Sequence, residues 1–218
     1  MSKVPSAQSK LRALPAVYPI THTRISDLSH LEQFKRLIEG GATLIQLREK
    51  HASPREFYDQ AVECVAYGRS RGVRIIINDR ADIALMANAD GVHLGQDDMP
   101  PAAARLVLGP DKIIGYSTHS IEQAIAAAAS GVDYVAIGPI FETRSKVDPD
   151  PLVGLNGLAA VKAAIGGVPL VAIGGINASN IVDVLRAGAD SSAIIGAILA
   201  DPQGITTAMR RLLEITVV

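Results

Sequence analysis

The chain is short of cysteine, of net charge and of long apolar runs, and each shortage excludes something. Its single cysteine, Cys64, rules out an internal disulfide and any thiolate metal cage. Cys64 lies in the helically spaced stretch YDQAVECVAYG (58–68), so a buried core thiol is expected. A formal net charge of −1 gives no electrostatic footprint for nucleic acid or an anionic membrane. No stretch approaches the ~20 apolar residues of a membrane span. The opening MSKVPSAQSKLRALP has no apolar region before Leu11, so it does not read as a secretory signal. It also lacks acidic residues, as transit peptides do, but a short disordered tail over residues 1–14 is the expectation. A reducing cytoplasm fits this composition.

What remains is an ordinary globular composition, 48% hydrophobic with 20% charged residues, over 218 positions. That length suits one large domain or two small ones with a substantial core. Short apolar runs alternate with Ala- and Leu-rich helical stretches. The runs are AVYPIT (16–21), TLIQLR (43–48), VRIIIN (73–78), GVHLG (91–95), KIIGYS (112–117), YVAIG (134–138), PLVAIG (169–174) and SAIIG (192–196). Helices are predicted over 29–39, 53–69, 101–107, 120–129, 155–164, 178–187 and 202–213, with a weaker segment at 80–87. Ser53 with Glu56 forms a capping box, and Ser120 precedes Glu122 and Gln123.

Strands that are continuously apolar imply a parallel sheet covered on both faces. Eight such units in one chain fit a single-domain (β/α)8 TIM barrel over residues 15–218, with an open doubly wound sheet as the alternative. The phrase Gly-Ala/Val-Asp/Thr recurs before the second, sixth and eighth strands, at Gly41, Gly131 and Gly188, and in altered form at Ala89–Gly91 before the fourth. It reads as a helix C-cap feeding each strand of a repeated unit.

In a barrel, reactive groups gather where the strands end. The second strand ends in Gln46, Arg48, Glu49 and Lys50, and the third in Asn78, Asp79 and Arg80. The fourth ends in Gln96, Asp97 and Asp98, and the fifth in Ser117 and His119. The sixth ends in Thr143, Arg144, Ser145 and Lys146. By contrast, the seventh ends in Gly174 and Gly175 and the eighth in Ile195 and Gly196. Glycines there offer free backbone N–H groups, an anion site without a basic side chain. A ligand phosphate is expected between Gly175 and Ile195–Gly196.

Asp79 and Asp98, from adjacent strands, suit one hard cation such as Mg²⁺. Arg48, Lys50 and Lys146 surround that point with positive charge, which suggests a diphosphate bridged by the metal. A set of mutual salt bridges is the competing reading. Paired acid–base carboxylates fit less well, because neighbouring cations depress both pKa values. His93, in mid-strand, reads as a satisfied core histidine. His119 lies nearer the mouth and reads either as a reacting group or as the start of the next helix. His22, His30 and His51 show no metal spacing.

The stretches IQLREK, INDRADIALMANADGVHLGQDD, IGYSTHS, IGPIFETRSK, VPLVAIGGIN and AGADSSAIIGAI together resemble the thiamine phosphate synthase family, in order, from about Ala16 to Ile198. The resemblance implies a (β/α)8 transferase that uses Mg²⁺. It would join hydroxymethylpyrimidine diphosphate to thiazole phosphate and release pyrophosphate. It implies metal ligation by Asp79 and Asp98. Pyrimidine diphosphate binding falls to Gln46, Arg48, Glu49, Lys50, Asn78, Ser117 and Lys146, with Arg48, Ser117 and Lys146 taking catalytic parts. Thiazole phosphate binding falls to Thr143, Ser145, Gly175, Ile195 and Gly196. The chain departs from the family pattern where Gly196 replaces a usual Ser, Glu142 a usual Pro, Ser145 a frequent Thr and His22 a commonly acidic residue. None of these removes the metal pair.

The residues suit that chemistry. An aminopyrimidine can expel diphosphate by its own electron density, so no strong base or covalent nucleophile is required. The need is for charge neutralisation and alignment. Rival readings are a thiazole tautomerase using His119, a sugar-phosphate isomerase, and a non-catalytic phosphate-binding barrel. Partners are expected to be small phosphorylated molecules, not nucleic acid or membrane, and the helical surface leaves room for a homo-oligomer.

Overall fold

A computed structural model describes residues 14–143 and 150–217. Along the chain it runs β1 (Val17–Pro19), α1 (Thr23–Ser26), α2 (His30–Glu39), β2 (Leu44–Leu47), α3 (Pro54–Arg69), β3 (Arg74–Asn78), α4 (Ala81–Met86) and β4 (Gly91–Leu94). It continues through α5 (Pro101–Leu108), β5 (Ile113–Thr118), α6 (Ile121–Ala129), β6 (Tyr134–Ile137), α7 (Gly154–Ala164) and β7 (Leu170–Ile173). The last elements are α8 (Ile181–Arg186), β8 (Ser191–Ile194), α9 (Gly196–Leu199), a 3₁₀ turn (Pro202–Gly204) and α10 (Ile205–Thr216). Except for Leu14, the tail expected over residues 1–14 lies outside the described residues.

The strands pair in parallel around a ring, from β2 through β8 and on to β1. Between β1 and β2 the ring closes by one bridge, Ile20 with Gln46, where the Thr21 N–H donates to the Gln46 carbonyl at 3.0 Å. The barrel expected from the alternating runs is therefore the fold. Ser53 and Glu56 make the predicted capping box, and Ser29 with Glu32 makes another. The four-residue α1 and α9 have no counterpart among the predicted helices, because neither is long enough to show an apolar repeat.

The recurring Gly-Ala/Val-Asp phrase does more than cap helices. Asp90, Asp133 and Asp190 each accept a backbone N–H from the neighbouring strand, from Ile75 at 2.7 Å, Ile114 at 2.8 Å and Leu170 at 2.7 Å. Each carboxylate thus locks the register of an even strand to its odd predecessor. Before β4 the left-handed residue is Asn88, at φ 53°, and not Gly91. Gly91 lies within the strand, where a Cβ would stand 2.2 Å from the Ile113 carbonyl oxygen.

Alternation along each strand divides the core in two. Tyr18, Ile20, Leu44, Ile76, Ile113, Tyr134, Ala136, Val171 and Ala193 fill the barrel. Their neighbours, Ile75, Ile77, Val135 and Ala172 among them, pack outward under the helices. Burial on both faces is why the runs are continuously apolar. Cys64 lies in the outer layer, and burial pushes its thiol up to about 12, so it stays protonated and inert. Among the described residues, no helix is long and apolar enough to cross a membrane.

Candidate active site

At the end of β3 the chain turns through Asp79 at φ 64°, a left-handed conformation for which glycine is the ordinary choice. The Asp79 N–H donates to the His93 carbonyl at 2.7 Å, which fixes this turn against β4. A carboxylate is thereby held at a place where the backbone alone would favour glycine. The Lys50 ammonium, from the loop after β2, pairs with Asp79. Asp98, after β4, accepts the Gly95 N–H at 2.7 Å. Burial raises its carboxyl above the usual range, and the adjacent Asp79 carboxylate adds to the rise against the Gly95 N–H. Two carboxylates brought together in this way form an oxygen site whose mutual repulsion the Lys50 ammonium does not fully relieve, since the Asp98 carboxyl stays raised. That fits a hard cation, which would relieve the repulsion. Among the described residues no group of three or more His, Cys, Asp or Glu side chains is gathered for a metal, so substrate oxygens or water would complete the shell.

Arg48 reaches the same region; burial lowers its pKa, with the Asp79 and Glu49 charges opposing the shift. Asn78 is 6% exposed, and its Nδ2 has no hydrogen-bond partner among the described residues. By strand alternation its side chain faces into the barrel, two residues beyond Ile76. Such a buried donor calls for an acceptor from outside the chain.

Beneath the mouth runs a polar chain that crosses the barrel. The Gln46 Nε2 donates to the Tyr18 hydroxyl at 3.2 Å, and the Tyr18 and Tyr134 hydroxyls lie 3.2 Å apart. The Tyr134 hydroxyl lies 2.9 Å from His93 Nδ1, and His93 Nε2 lies 2.8 Å from the Ser117 Oγ. Burial lowers the His93 pKa to about 4, so the imidazole is neutral, with one donor and one acceptor. One direction of donation leaves every member paired: Gln46 to Tyr18, Tyr18 to Tyr134, Tyr134 to Nδ1, and Nε2–H to Ser117. That assignment follows from the network and leaves the Ser117 hydroxyl proton free to donate into the mouth. Gly115 makes room for the Tyr134 ring; a Cβ there would lie 2.0 Å from Tyr134 Cζ.

The other side is built from backbone. Gly174 and Gly175 follow β7 at φ 103° and 65°, and Ile195 and Gly196 carry β8 into α9. Asn177 and Asn180 hold the Gly175 carbonyl at 3.3 Å and 3.1 Å, which secures this turn from below. A Cβ on Gly175 would meet the Glu142 carbonyl oxygen at 2.5 Å, so the residue also admits the loop after β6.

A family model described as thiamine monophosphate synthase matches residues 17–198, most of the chain and every strand of the barrel. The chain belongs to this family. A thiamine-phosphate synthase of Chloroflexus aurantiacus is 45% identical over 197 residues, covering 90% of each protein. One of Clostridium novyi is 50% identical over 162 residues, covering 74% of this chain and 79% of its own. Among solved structures, thiamine phosphate pyrophosphorylase from Pyrococcus furiosus is 36% identical, with a TM-score of 0.83 over 91% of this chain and 94% of that one.

The family's fold brings Gln46, Arg48, Lys50, Asn78, Asp79, Asp98 and Ser117 to one end of the barrel, with Gly175, Ile195 and Gly196 on its far side. Thr143 is half-buried, one residue beyond the Glu142 carbonyl that packs against Gly175, while Ser145 and Lys146 lie outside the described residues. Asp97 is exposed and does not join Asp98. Both oxygens of Glu49 are taken up within the protein. His119 Nδ1 faces the Gly138 carbonyl at 2.7 Å and lies 3.4 Å from Asp150, so that nitrogen is turned inward. His93 is a satisfied histidine, as the sequence suggested, but it serves the floor of the mouth. Tyr18 and Tyr134 were not singled out in the sequence. Their signal was faint, a tyrosine at an inward position of an otherwise apolar strand.

Proposed function

We propose that this chain couples 4-amino-2-methyl-5-hydroxymethylpyrimidine diphosphate to 4-methyl-5-hydroxyethylthiazole phosphate, giving thiamine phosphate and pyrophosphate. The family and its named relatives support the reading. The observation that carries it within this chain is the contrast between strand ends, charged and polar side chains after β2 to β5 and glycine-rich backbone after β7 and β8. The bond between the pyrimidine methylene and the diphosphate oxygen breaks, and its electron pair leaves with the diphosphate. The thiazole nitrogen then gives its lone pair to the resulting pyrimidine cation, so no proton has to be removed.

Asp79 and Asp98 would hold Mg²⁺, which supplies positive charge against the departing diphosphate when bound. Arg48, Lys50 and Lys146 would share that work, because positive charge stabilises a departing diphosphate most where its negative charge develops. Lys50 pairs with Asp79; Mg²⁺ at Asp79 would leave its ammonium available to the diphosphate oxygens. Gln46, Asn78 and Ser117 would orient the pyrimidine diphosphate, Asn78 through the Nδ2 that finds no acceptor among the described residues. Thr143, Ser145, Gly175, Ile195 and Gly196 receive the thiazole phosphate. Residues 15–218 act as one catalytic domain on small phosphorylated molecules, and a reducing cytoplasm suits its single buried thiol.

The test is pyrophosphate release, measured with each substrate alone and with both together in Mg²⁺. Release is expected only with both. A diphosphate released equally well without the thiazole phosphate would make the chain a hydrolase and overturn the reading.

A further inference from the structure

Glu49 stands between Arg48 and Lys50, yet its carboxylate does not face the mouth. Its side chain is 7% exposed, and the Oε1 accepts three successive backbone N–H groups, from Lys50 at 2.7 Å, His51 at 2.6 Å and Ala52 at 3.2 Å. The Oε2 lies 3.1 Å from His30 Nε2. Burial pushes this carboxyl up, but the His51 N–H, His30 and the Ala52 N–H outweigh it, and its pKa falls below the usual value. An ionised carboxylate with both oxygens occupied has little left for a ligand.

His30 belongs to α2, is 2% exposed, and cannot reach the mouth. Its second nitrogen, Nδ1, lies 2.8 Å from the Thr21 Oγ1, and that same oxygen accepts the Arg48 N–H at 3.2 Å. Burial favours the neutral imidazole, and with it the donors and acceptors close in one way. Glu49 only accepts, so Nε2 carries the ring proton; Nδ1 then accepts the Thr21 hydroxyl proton, and the Thr21 oxygen is free to accept from Arg48. Thr21 also sits at the seam where β1 meets β2, its N–H on the Gln46 carbonyl at 3.0 Å. One buried imidazole therefore braces the backbone of Arg48 through Thr21 and that of Lys50 through Glu49.

We infer that His30 and Glu49 are positioning residues that hold the β2–α3 loop so that Arg48 and Lys50 meet the pyrimidine diphosphate. The kinetic part rests on the proposed function; the brace itself does not. A guanidinium and an ammonium on a loose loop would lose the alignment on which preorganised charge depends. Glu49 thus acts on the diphosphate through its neighbours.

The experiment combines kinetics with amide exchange on the full chain carrying Glu49→Ala, Glu49→Gln, His30→Ala or His30→Gln. Glu49→Ala and His30→Ala should each raise KM for the pyrimidine diphosphate about tenfold, leaving KM for the thiazole phosphate unchanged. Their double mutant should add little to either, because both act through one chain of bonds. Glu49→Gln keeps one acceptor for the three N–H groups, and His30→Gln keeps a donor toward Glu49, so both should recover most of the loss. In the ligand-free protein, the His51 and Ala52 amides should exchange faster in Glu49→Ala and His30→Ala and slowly in the wild type. If Glu49→Gln is as damaging as Glu49→Ala while His30→Ala leaves the kinetics intact, Glu49 touches substrate and the inference falls. A fall in melting temperature that moves both KM values together or neither also overturns it, by making the pair merely structural. If the wild type releases no pyrophosphate, the proposed function fails, and the amide exchange still decides whether the brace exists.

Discussion

From β2 to β5 the rim of this barrel is made of side chains: Arg48, Lys50, Asn78, Asp79, Asp98 and Ser117. From β7 to β8 it turns through Gly174, Gly175, Ile195 and Gly196, where no charged side chain stands. In the proposed reaction the diphosphate gains charge as its bond breaks, and only interactions that strengthen at that moment raise the rate. Concentrated, partly buried charge on rigid strand ends supplies them. The thiazole phosphate is a handle whose charge does not change, so fixed backbone dipoles that bind it evenly throughout are sufficient. On the proposed reaction, the unlike chemistry of the two sides answers the unlike fates of the two phosphates.

The largest expected effect is on the side-chain half. Asp79→Gly should lower kcat at least ~10²-fold, as losing one preorganised electrostatic group does. Its melting temperature should hold or rise, because glycine suits φ 64° and the half-exposed Lys50 pair contributes little to stability. Lost stability with intact turnover would make Asp79 a structural residue.

The floor of that half gives the next effect. The His93 pKa is about 4 in the folded chain against an ordinary 6.5. Above 6.5 it is neutral whether folded or not, and its stabilising contribution is complete. As pH falls from 6.5 toward 4, the unfolded chain binds a proton that the folded one refuses, and up to about 3 kcal/mol is lost. Urea midpoints at pH 6.5 and 4.5 should differ less for His93→Gln than for the wild type. Equal differences would mean that His93 titrates normally.

A smaller effect is expected at Ser117. Its hydroxyl proton is free to point into the mouth, so Ser117→Ala should lower kcat about tenfold with the thiazole phosphate KM unchanged. A shift confined to the thiazole phosphate KM would move Ser117 to the other side. The smallest effect belongs to the backbone half. Gly196→Ser adds a hydroxyl where the N–H already serves, so kcat should be intact and the thiazole phosphate KM equal or lower in steady-state assays.

Much of this arrangement was legible in the sequence because a barrel ties chemistry to strand ends. Ile75–Ile77 running into Asn78 and Asp79 marks a doubly buried strand and the polar end at which the metal site is proposed. What stayed hidden depends on direction. Tyr18 and Tyr134 look like core in sequence, and only the closed ring brings their hydroxyls together with Gln46 and His93. In the sequence Glu49 reads as part of the mouth because it stands between Arg48 and Lys50; His30, nineteen residues away, turns it inward. Asn88 takes the left-handed cap where the repeated phrase pointed to a glycine, since asparagine tolerates that conformation.

The most direct test of the division of labour is the Mg²⁺ dependence of pyrophosphate release, measured with both substrates saturating, for the wild type and for Asp79→Gly. The account predicts that release by the wild type rises with Mg²⁺ and collapses with chelator. Asp79→Gly should stay at the chelated level until Mg²⁺ is raised at least about tenfold further. Superimposable Mg²⁺ curves for the two proteins, or full wild-type turnover in chelator, would contradict it.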